Sequence, residues 1–539
     1  TLLGGALLML LIAAANVAGL QVSLASRHQR GLAIRSALGA SPRRLTAHVL
    51  AESVVLTAMS LVAALAVAWT LLRLLLWLAP GDVPRLAEVA LLDWRVVAFG
   101  AAATFATATI CAWWPVLVAR RVDGLSVLAH GPSVASDPGG RRIQRAIVVA
   151  QVGTAVALLF GTALFLRTVR SLDATVLGFD PEHLLSFSVG APTENVVRWN
   201  AFTDRLLARV RAIPGVRSAS MALVRPLNGP IGWDNQPGFP GQRVEDPSTW
   251  GLNPHLNFVA VSPGYFETMR TRLLRGRVFT DADATTAPGA VIVSEAAARR
   301  LWPGKDPIGQ LLREPSYRVG ARDAPAGTWQ TVVGVVQDVR FRGLNDVRLD
   351  LYAPLSQTNN RAPNLLIRLE GETGSVSAAI RAAVKEVDPA GSIGEAVTMR
   401  SVVDGESAPW RFLMRVFVAF ALVAALLAIV GLAAVVTLAV AGRRRELAIR
   451  AALGAGRRRL RWLVLRETLG LTGLGVLLGV AAAVGLGRGV APLLIGVRPD
   501  DPLTLAAVAS GAAVAGLLAA WAPARRASRA DPLEALRTE

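Results

Sequence analysis

The sequence predicts a multi-spanning α-helical membrane protein with a mixed α/β domain inserted outside the cytoplasm, between two parallel three-helix repeats. Three observations predict it. Seven stretches approach or exceed the roughly 20 apolar residues that a bilayer-spanning helix requires. Arginine is concentrated in the loops that fall on one side of those helices. An eleven-residue segment occurs twice, as RGLAIRSALGA at 30–40 and RELAIRAALGA at 445–455, and the copies differ at two positions, Gly31/Glu446 and Ser36/Ala451.

The seven stretches are 1–26, 49–79, 96–118, 146–166, 412–441, 462–487 and 504–522. With 539 residues, 53% hydrophobic and 18% charged, the chain is too apolar for an ordinary soluble protein of its size. The net charge of +19 would suit a nucleic-acid binder if it lay on a folded basic groove. It lies instead in the segments 27–48, 119–145, 443–461 and 524–539, which hold 22 arginines against six acids. The short loops 80–95 and 488–503 are close to neutral. This is the positive-inside pattern: it places the arginine loops in the cytoplasm and excludes nucleic acid as the partner. Cys111 is the single cysteine and the five histidines are scattered, so neither a disulfide nor a metal cluster is expected.

Between the fourth and fifth stretches lies an insert, 167–411, on the opposite side of the membrane from the arginine loops. Strands are expected at Leu184–Val189, Val216–Leu223, Asn257–Ser262, Val291–Ser294, Thr331–Val336 and Asn364–Leu369, and amphipathic helices at Phe202–Ile213, Glu295–Trp302 and Val376–Val387. Ser294 is the expected N-cap of the second helix. Pro214-Gly215 and Asp388-Pro389 stop the first and third. The stretch 225–254, rich in Gly, Pro, Asn and Trp, reads as a long surface loop.

The repeat extends beyond the eleven-mers. Glu52 matches Glu467 at the same offset, and Trp113, Pro115, Arg121 and Asp123 match Trp521, Pro523, Arg529 and Asp531 at an offset seven residues smaller. Four crossings separate the copies, so both enter the membrane with the same polarity. In the second copy, Glu446 and Arg450 stand four apart, which supports a short helix by a few tenths of a kcal/mol, about 0.3–0.5. Leu447, Ala448, Ala451 and Ala452 can share its apolar face, and Gly454 is a natural stop. An arginine-flanked helix of this kind can rest on anionic membrane lipid. Repetition of particular apolar identities (Leu32, Ala33, Ile34 and Leu38 against Leu447, Ala448, Ile449 and Leu453) favours a protein partner instead. Glu52 and Glu467 are expected near helix starts, at the interface, and Arg73 is expected to snorkel. No acid, His or Lys at mid-membrane suggests an ion relay. The chain has no P-loop, since Gly304-Lys305 is followed by Asp306, so ATP hydrolysis is not expected of it, and no cofactor is implied.

The segments GRRRELAIRAALGAGRRRL (442–460) and APARRASRADPLEALR (522–537) resemble the FtsX-like permeases of ATP-binding-cassette systems. VSPGYFETMRTRLLRGRVFTDAD (261–283), VIVSEAAARRLWPGKDPIGQ (291–310) and VVGVVQDVR (332–340) resemble the MacB-like periplasmic core domain. The combination is similar to the duplicated permeases of Acidobacteria. The resemblance implies a first permease unit at 1–130, a cytoplasmic linker at 131–145, a membrane helix at 146–166, the periplasmic domain at 167–411 and a second unit at 412–539. It implies a bacterial inner-membrane location and a separate ABC ATPase subunit as partner. The docking helices would be Arg30, Gly31, Leu32, Ala33, Ile34, Arg35, Leu38, Gly39 and Ala40, and Arg445, Glu446, Leu447, Ala448, Ile449, Arg450, Leu453, Gly454 and Ala455. Thr1 aligns with Val416, so about one turn of helix, with a further membrane helix and periplasmic domain, is expected before it. The function implied is ATP-driven movement of the periplasmic domain for export or extraction. The alternatives are a transmembrane regulator that activates a periplasmic partner without transport, and a scaffold without any ATPase.

Overall fold

Four helices among the described residues are long and apolar enough to cross a membrane: Gln144–Asp173, Met399–Thr437, Arg458–Gly489 and Pro502–Trp521. Shorter apolar helices lie at Gly4–Ala14, Leu61–Thr70 and Val97–Ala106. Each of the seven expected stretches therefore carries helix. The computed structural model describes residues 138–227, 233–242, 253–283, 286–313, 329–371, 376–442, 446, 449–450, 453, 455–491 and 494–527. Before these it describes 4–10, 12–14, 55, 58–59, 61–70, 73, 94–95, 97–102, 104–106 and 109. The chain divides into two units, Leu172–Ala408 and the remainder on either side of it. Helix α1 (Pro138–Asp173) begins eight residues before the expected span and starts inside the segment expected as a linker.

The inserted unit is built on a twelve-stranded mixed sheet with the order β11-β1-β10-β2-β4-β9-β6-β8-β5. In chain order its elements are β1 (Leu184–Gly190), α2 (Val196–Arg211), β2 (Val216–Ala222), β3 (Trp233–Asn235), β4 (Leu256–Val261) and α3 (Tyr265–Met269). There follow β5 (Leu273–Gly276), β6 (Gly289–Ser294), α4 (Glu295–Leu301), β7 (Leu311–Arg313), β8 (Trp329–Val336), β9 (Asp350–Pro354), β10 (Asn364–Leu369), α5 (Val376–Val387), β11 (Ser392–Ile393) and β12 (Val397–Thr398). All six expected strands and all three expected helices are present. α2 starts six residues early because Asn195 caps it, its side chain accepting from the N–H groups of Val197 and Arg198. Ser294 caps α4 as expected, its hydroxyl accepting from the Ala297 N–H at 3.3 Å.

The sheet has a narrow waist. β2 and β4 pair at Ala222 and Val261 alone, reinforced by the Ser262 hydroxyl, which accepts from the Met221 N–H at 2.8 Å. On one side β1, β10 and β2 run antiparallel, with α2 packed on β2 and against α5. On the other, β4 pairs parallel with β9 and β6 parallel with β8, an arrangement that buries every residue of β4 and β9.

The expected 225–254 loop is corrected by the structure. β3 lies within it and pairs with β4 through Trp233↔Phe258, and Asp234 forms a bidentate pair with Arg342. Gly238 bridges Arg313, and Phe239 packs edge-on against Trp302. Gly and Pro marked the turns here, but they could not reveal a three-residue strand whose partner lies twenty-five residues away.

In the membrane unit, α6 (Met399–Gly442), α7 (Arg457–Val490) and α8 (Pro502–Ala527) pack with α1. Val148, Val152 and Val156 of α1 meet Leu432 and Val436 of α6 and Ala519 of α8, and Ala157, Phe160 and Leu164 meet Ala483 of α7. Phe165 stacks on Phe417 at 4.8 Å, where the Thr162 hydroxyl lies 3.0 Å from the Phe417 carbonyl.

Candidate functional site

The predicted docking segments divide between described and undescribed residues. The whole first copy, Arg30–Ala40, lies outside the described residues, as do Arg445, Leu447, Ala448 and Gly454. Glu52 also lies outside them. Described in the second copy are Glu446, Ile449, Arg450, Leu453 and Ala455.

Glu446, Ile449 and Arg450 are helical, and Glu446 and Arg450 form the expected pair at 2.7 Å. The Leu453 N–H donates to the Ile449 carbonyl at 2.9 Å, which continues the turn. The Ala455 N–H then reaches back five residues to the Arg450 carbonyl at 2.9 Å, a bond that closes a helix end. Ala455 packs against Leu460, with Val440 and Val464 beside it, so the segment is fastened to the bases of α6 and α7. Ile449 and Leu453, one turn apart, are 46% and 82% exposed. Leu453 is thus largely uncovered within this chain and Ile449 about half covered, which leaves apolar surface on this short helix available to a partner.

One residue past this segment, Gly456 caps α7, and α7 is joined to α1 by direct backbone contact. Gly475 and Gly479, spaced four apart, face Gly153. A Cβ on Gly479 would sit 2.6 Å from the Gly153 carbonyl, and one on Gly475 would sit 2.7 Å from the Val152 Cβ. Small residues at this spacing let membrane helices approach until dispersion forces between backbones hold them. The sequence carried this signal in GVLLG at 475–479. At α8, a Cβ on Gly516 would meet the Thr472 methyl at 2.7 Å, so α7 is closely packed on two sides.

Ion pairs fasten this crossing at either end. Glu467 pairs with Arg145 of α1. It lies three turns into α7, beyond reach of the helix N-terminal partial charge, which corrects the expectation that it sits at a helix start. At the other end, Arg167 of α1 reaches Asp501, which caps α8 by accepting from the Thr504 N–H at 2.7 Å and its hydroxyl at 2.6 Å. The Thr504 hydroxyl in turn accepts from Arg167 at 3.0 Å. The bonds from Thr504, joined by the Arg167 charge, hold the Asp501 carboxyl below the usual carboxylate range. Arg145–Glu467 and Arg167–Asp501 link residues more than 300 positions apart, and no local pattern in the sequence could have paired them.

Comparison with known proteins agrees with this architecture. The FtsX-like permease C-terminal family matches residues 4–123 and again 418–532, and the MacB-like periplasmic core domain matches 146–387. The chain thus carries two FtsX-like permease segments with a MacB-like core domain between them. Among curated relatives it is 23% identical over 442 residues to the macrolide export ATP-binding/permease protein MacB of Agrobacterium fabrum, which covers 78% of this chain and 64% of that protein. It is 28% identical over 300 residues to the pyoverdine export ATP-binding/permease protein PvdT of Pseudomonas putida, covering 54% of this chain and 44% of the relative. It is 25% identical to the uncharacterized ABC transporter permease YknZ of Bacillus subtilis, covering 52% and 69%. The chain thus spans about two-fifths to two-thirds of the length of these relatives. It is a multi-pass membrane protein, and most of its inserted α/β unit falls within the MacB-like match.

Proposed function

We propose that this permease couples ATP hydrolysis by a separate ATPase subunit to movement of its MacB-like domain, for export or extraction of a substrate. The observation that carries the reading is the Glu446–Ala455 segment: a closed helical turn with Ile449 and Leu453 turned outward, fastened through Ala455 to the base of α7. The ATPase would dock on that pair, in the cytoplasm according to the arginine distribution. The names of the macrolide and pyoverdine relatives favour export over regulation of a partner.

Transmission follows from the packing. Displacement of the docking segment acts on α7 one residue later. Because Gly475 and Gly479 leave no yielding side chain at the contact with Gly153, α7 would carry α1 with it. α1 precedes the sheet of the inserted unit in the chain and α6 follows it, so motion of these helices would be passed to that unit through the chain.

The test is co-purification of the full chain with a candidate ATPase, repeated with Leu447→Asp and Ile449→Asp. Loss of association with membrane insertion intact is expected. Unchanged association would remove the docking assignment.

A further inference from the structure

We propose that the cavity between the arginine-bearing ends of α7 and α8 is a binding site for an anionic phospholipid. The cavity has a volume of about 710 Å3 and is lined by Arg458, Arg459, Arg461, Trp462 and Leu465 of α7 and by Trp521 of α8. Arg458, Arg461, Trp462 and Leu465 recur at spacings of three and four, so one stripe of α7 supplies them. On α8, Arg525 lies one turn beyond Trp521 with its guanidinium 5.5 Å from the ring. The cavity is therefore lined by two indoles, a leucine and the largely apolar stems of three arginines.

Charge complementarity identifies the occupant. The first turn of α7 contains no acidic residue, and its cap, Gly456, makes no side-chain hydrogen bond there. Consecutive arginines at a helix N-terminus repel one another and the positive end of the helix dipole, an arrangement that an anion relieves. The apolar part of the lining decides which anion. A soluble phosphate would use the guanidinium groups and leave Trp462 and Trp521 exposed, at 59% and 55%. A phospholipid uses both: its phosphate lies among the arginines, and its glycerol and upper acyl carbons lie along the indoles and Leu465. The stripe from Arg458 to Leu465 runs into the span Arg458–Gly489, away from the docking segment, as a lipid anchored at the bilayer surface requires. Tryptophan and arginine are the residues favoured at that depth.

The experiment is native mass spectrometry of the full chain released from nanodiscs of equimolar phosphatidylglycerol and phosphatidylcholine. Retained phosphatidylglycerol is expected in excess over phosphatidylcholine. The double variant Arg458→Gln/Arg461→Gln is expected to lower that excess by about tenfold, with the Lys/Lys variant restoring most of it. A second measurement is quenching of Trp462 and Trp521 by brominated phosphatidylglycerol, assigned with Trp462→Phe and Trp521→Phe. Millimolar inorganic phosphate is expected not to reverse the quenching. The proposal is overturned if the two lipids are retained equally, if the glutamine variant retains as much as the parent, or if phosphate alone displaces the lipid. It is also overturned if the glutamine variant loses the ATPase while lipid retention is unchanged. Loss of the ATPase in the Ile449→Asp variant alone bears on docking and leaves lipid retention as expected, so the two readings fail separately.

Discussion

At the residue scale, the MacB-like domain shows the same charged group used in opposite senses. Arg368 is 2% exposed near the end of β10, where its guanidinium donates to the carbonyls of Thr268 at 2.6 Å, Glu182 at 2.7 Å and Asp180 at 2.7 Å. Removal of the donor strands the buried Thr268 carbonyl and two part-buried ones, so Arg368→Met is expected to destabilise the domain by about 2–3 kcal/mol in denaturant titration of the full chain. Asp283 is held below the carboxylate range by its bidentate bonds from Arg277 at 2.7 and 2.8 Å, and the Thr280 N–H adds to them. Its contribution is complete above the ordinary carboxylate pKa and is lost as pH falls through the lowered folded value. Asp350 behaves oppositely. Burial drives its pKa well up, against the hydrogen bonds from the Asn257 side chain at 2.9 Å and from the Val339 backbone. The folded chain keeps this proton while the unfolded chain releases it, so stability falls as pH rises from the ordinary carboxylate range toward the raised value. Asp350→Asn keeps the acceptor for Asn257 and removes the ionisation. It is therefore expected to raise the unfolding midpoint at neutral pH and to flatten the loss of stability over that window, whereas Asp283→Asn lowers the midpoint at neutral pH and reduces the acid-side dependence.

At the element scale, the decisive feature is the backbone contact of α7 with α1. Leucine in place of Gly479 must push the helices apart, because its Cβ alone would fall 2.6 Å from a carbonyl and 2.7 Å from the Val156 Cβ. Gly479→Leu is expected to cost about 1–3 kcal/mol and to lower the thermal unfolding midpoint in detergent. Gly470→Leu, nine residues earlier in the same helix with no neighbour within 4 Å, is expected to leave that midpoint unchanged. The same contrast explains what the sequence could disclose. Each apolar stretch declared its helix by composition, and the strands at Asn364–Leu369 and Thr331–Val336 declared themselves by β-branched and leucine-rich runs. β9 stayed hidden because its DLYAP sequence opens on an aspartate and closes on a proline, and the Asn257 side chain that donates to the buried Asp350 lies 93 residues away. In the docking segment the Glu446–Arg450 pair and the glycine-marked stop were local and therefore legible. The ties through Arg145 and Arg167 depend on tertiary placement and were not.

At the scale of the whole molecule, the two eleven-residue copies set a stoichiometry. On the proposed docking role, the two copies in one chain would accept two ATPase subunits without a second permease chain, and a mass measurement on the detergent-solubilised complex is expected to find two per chain. Ile34→Asp and Ile449→Asp, made singly, are each expected to reduce that number to one, and together to none. The copies should also differ in strength. Glu446 contributes an i,i+4 pair with Arg450 at 2.7 Å, whereas Gly31 offers Arg35 no partner at that spacing and disfavours helix by about 1 kcal/mol relative to alanine. Gly31→Glu is therefore expected to tighten the weaker of the two binding steps by about fivefold, as read by titration of the chain with ATPase. Glu446→Gly should weaken the stronger step by a similar factor, bringing the two steps together. If both substitutions leave the two steps where they were, helix formation in these segments does not limit docking, and the inequality of the copies would have to arise elsewhere in the chain.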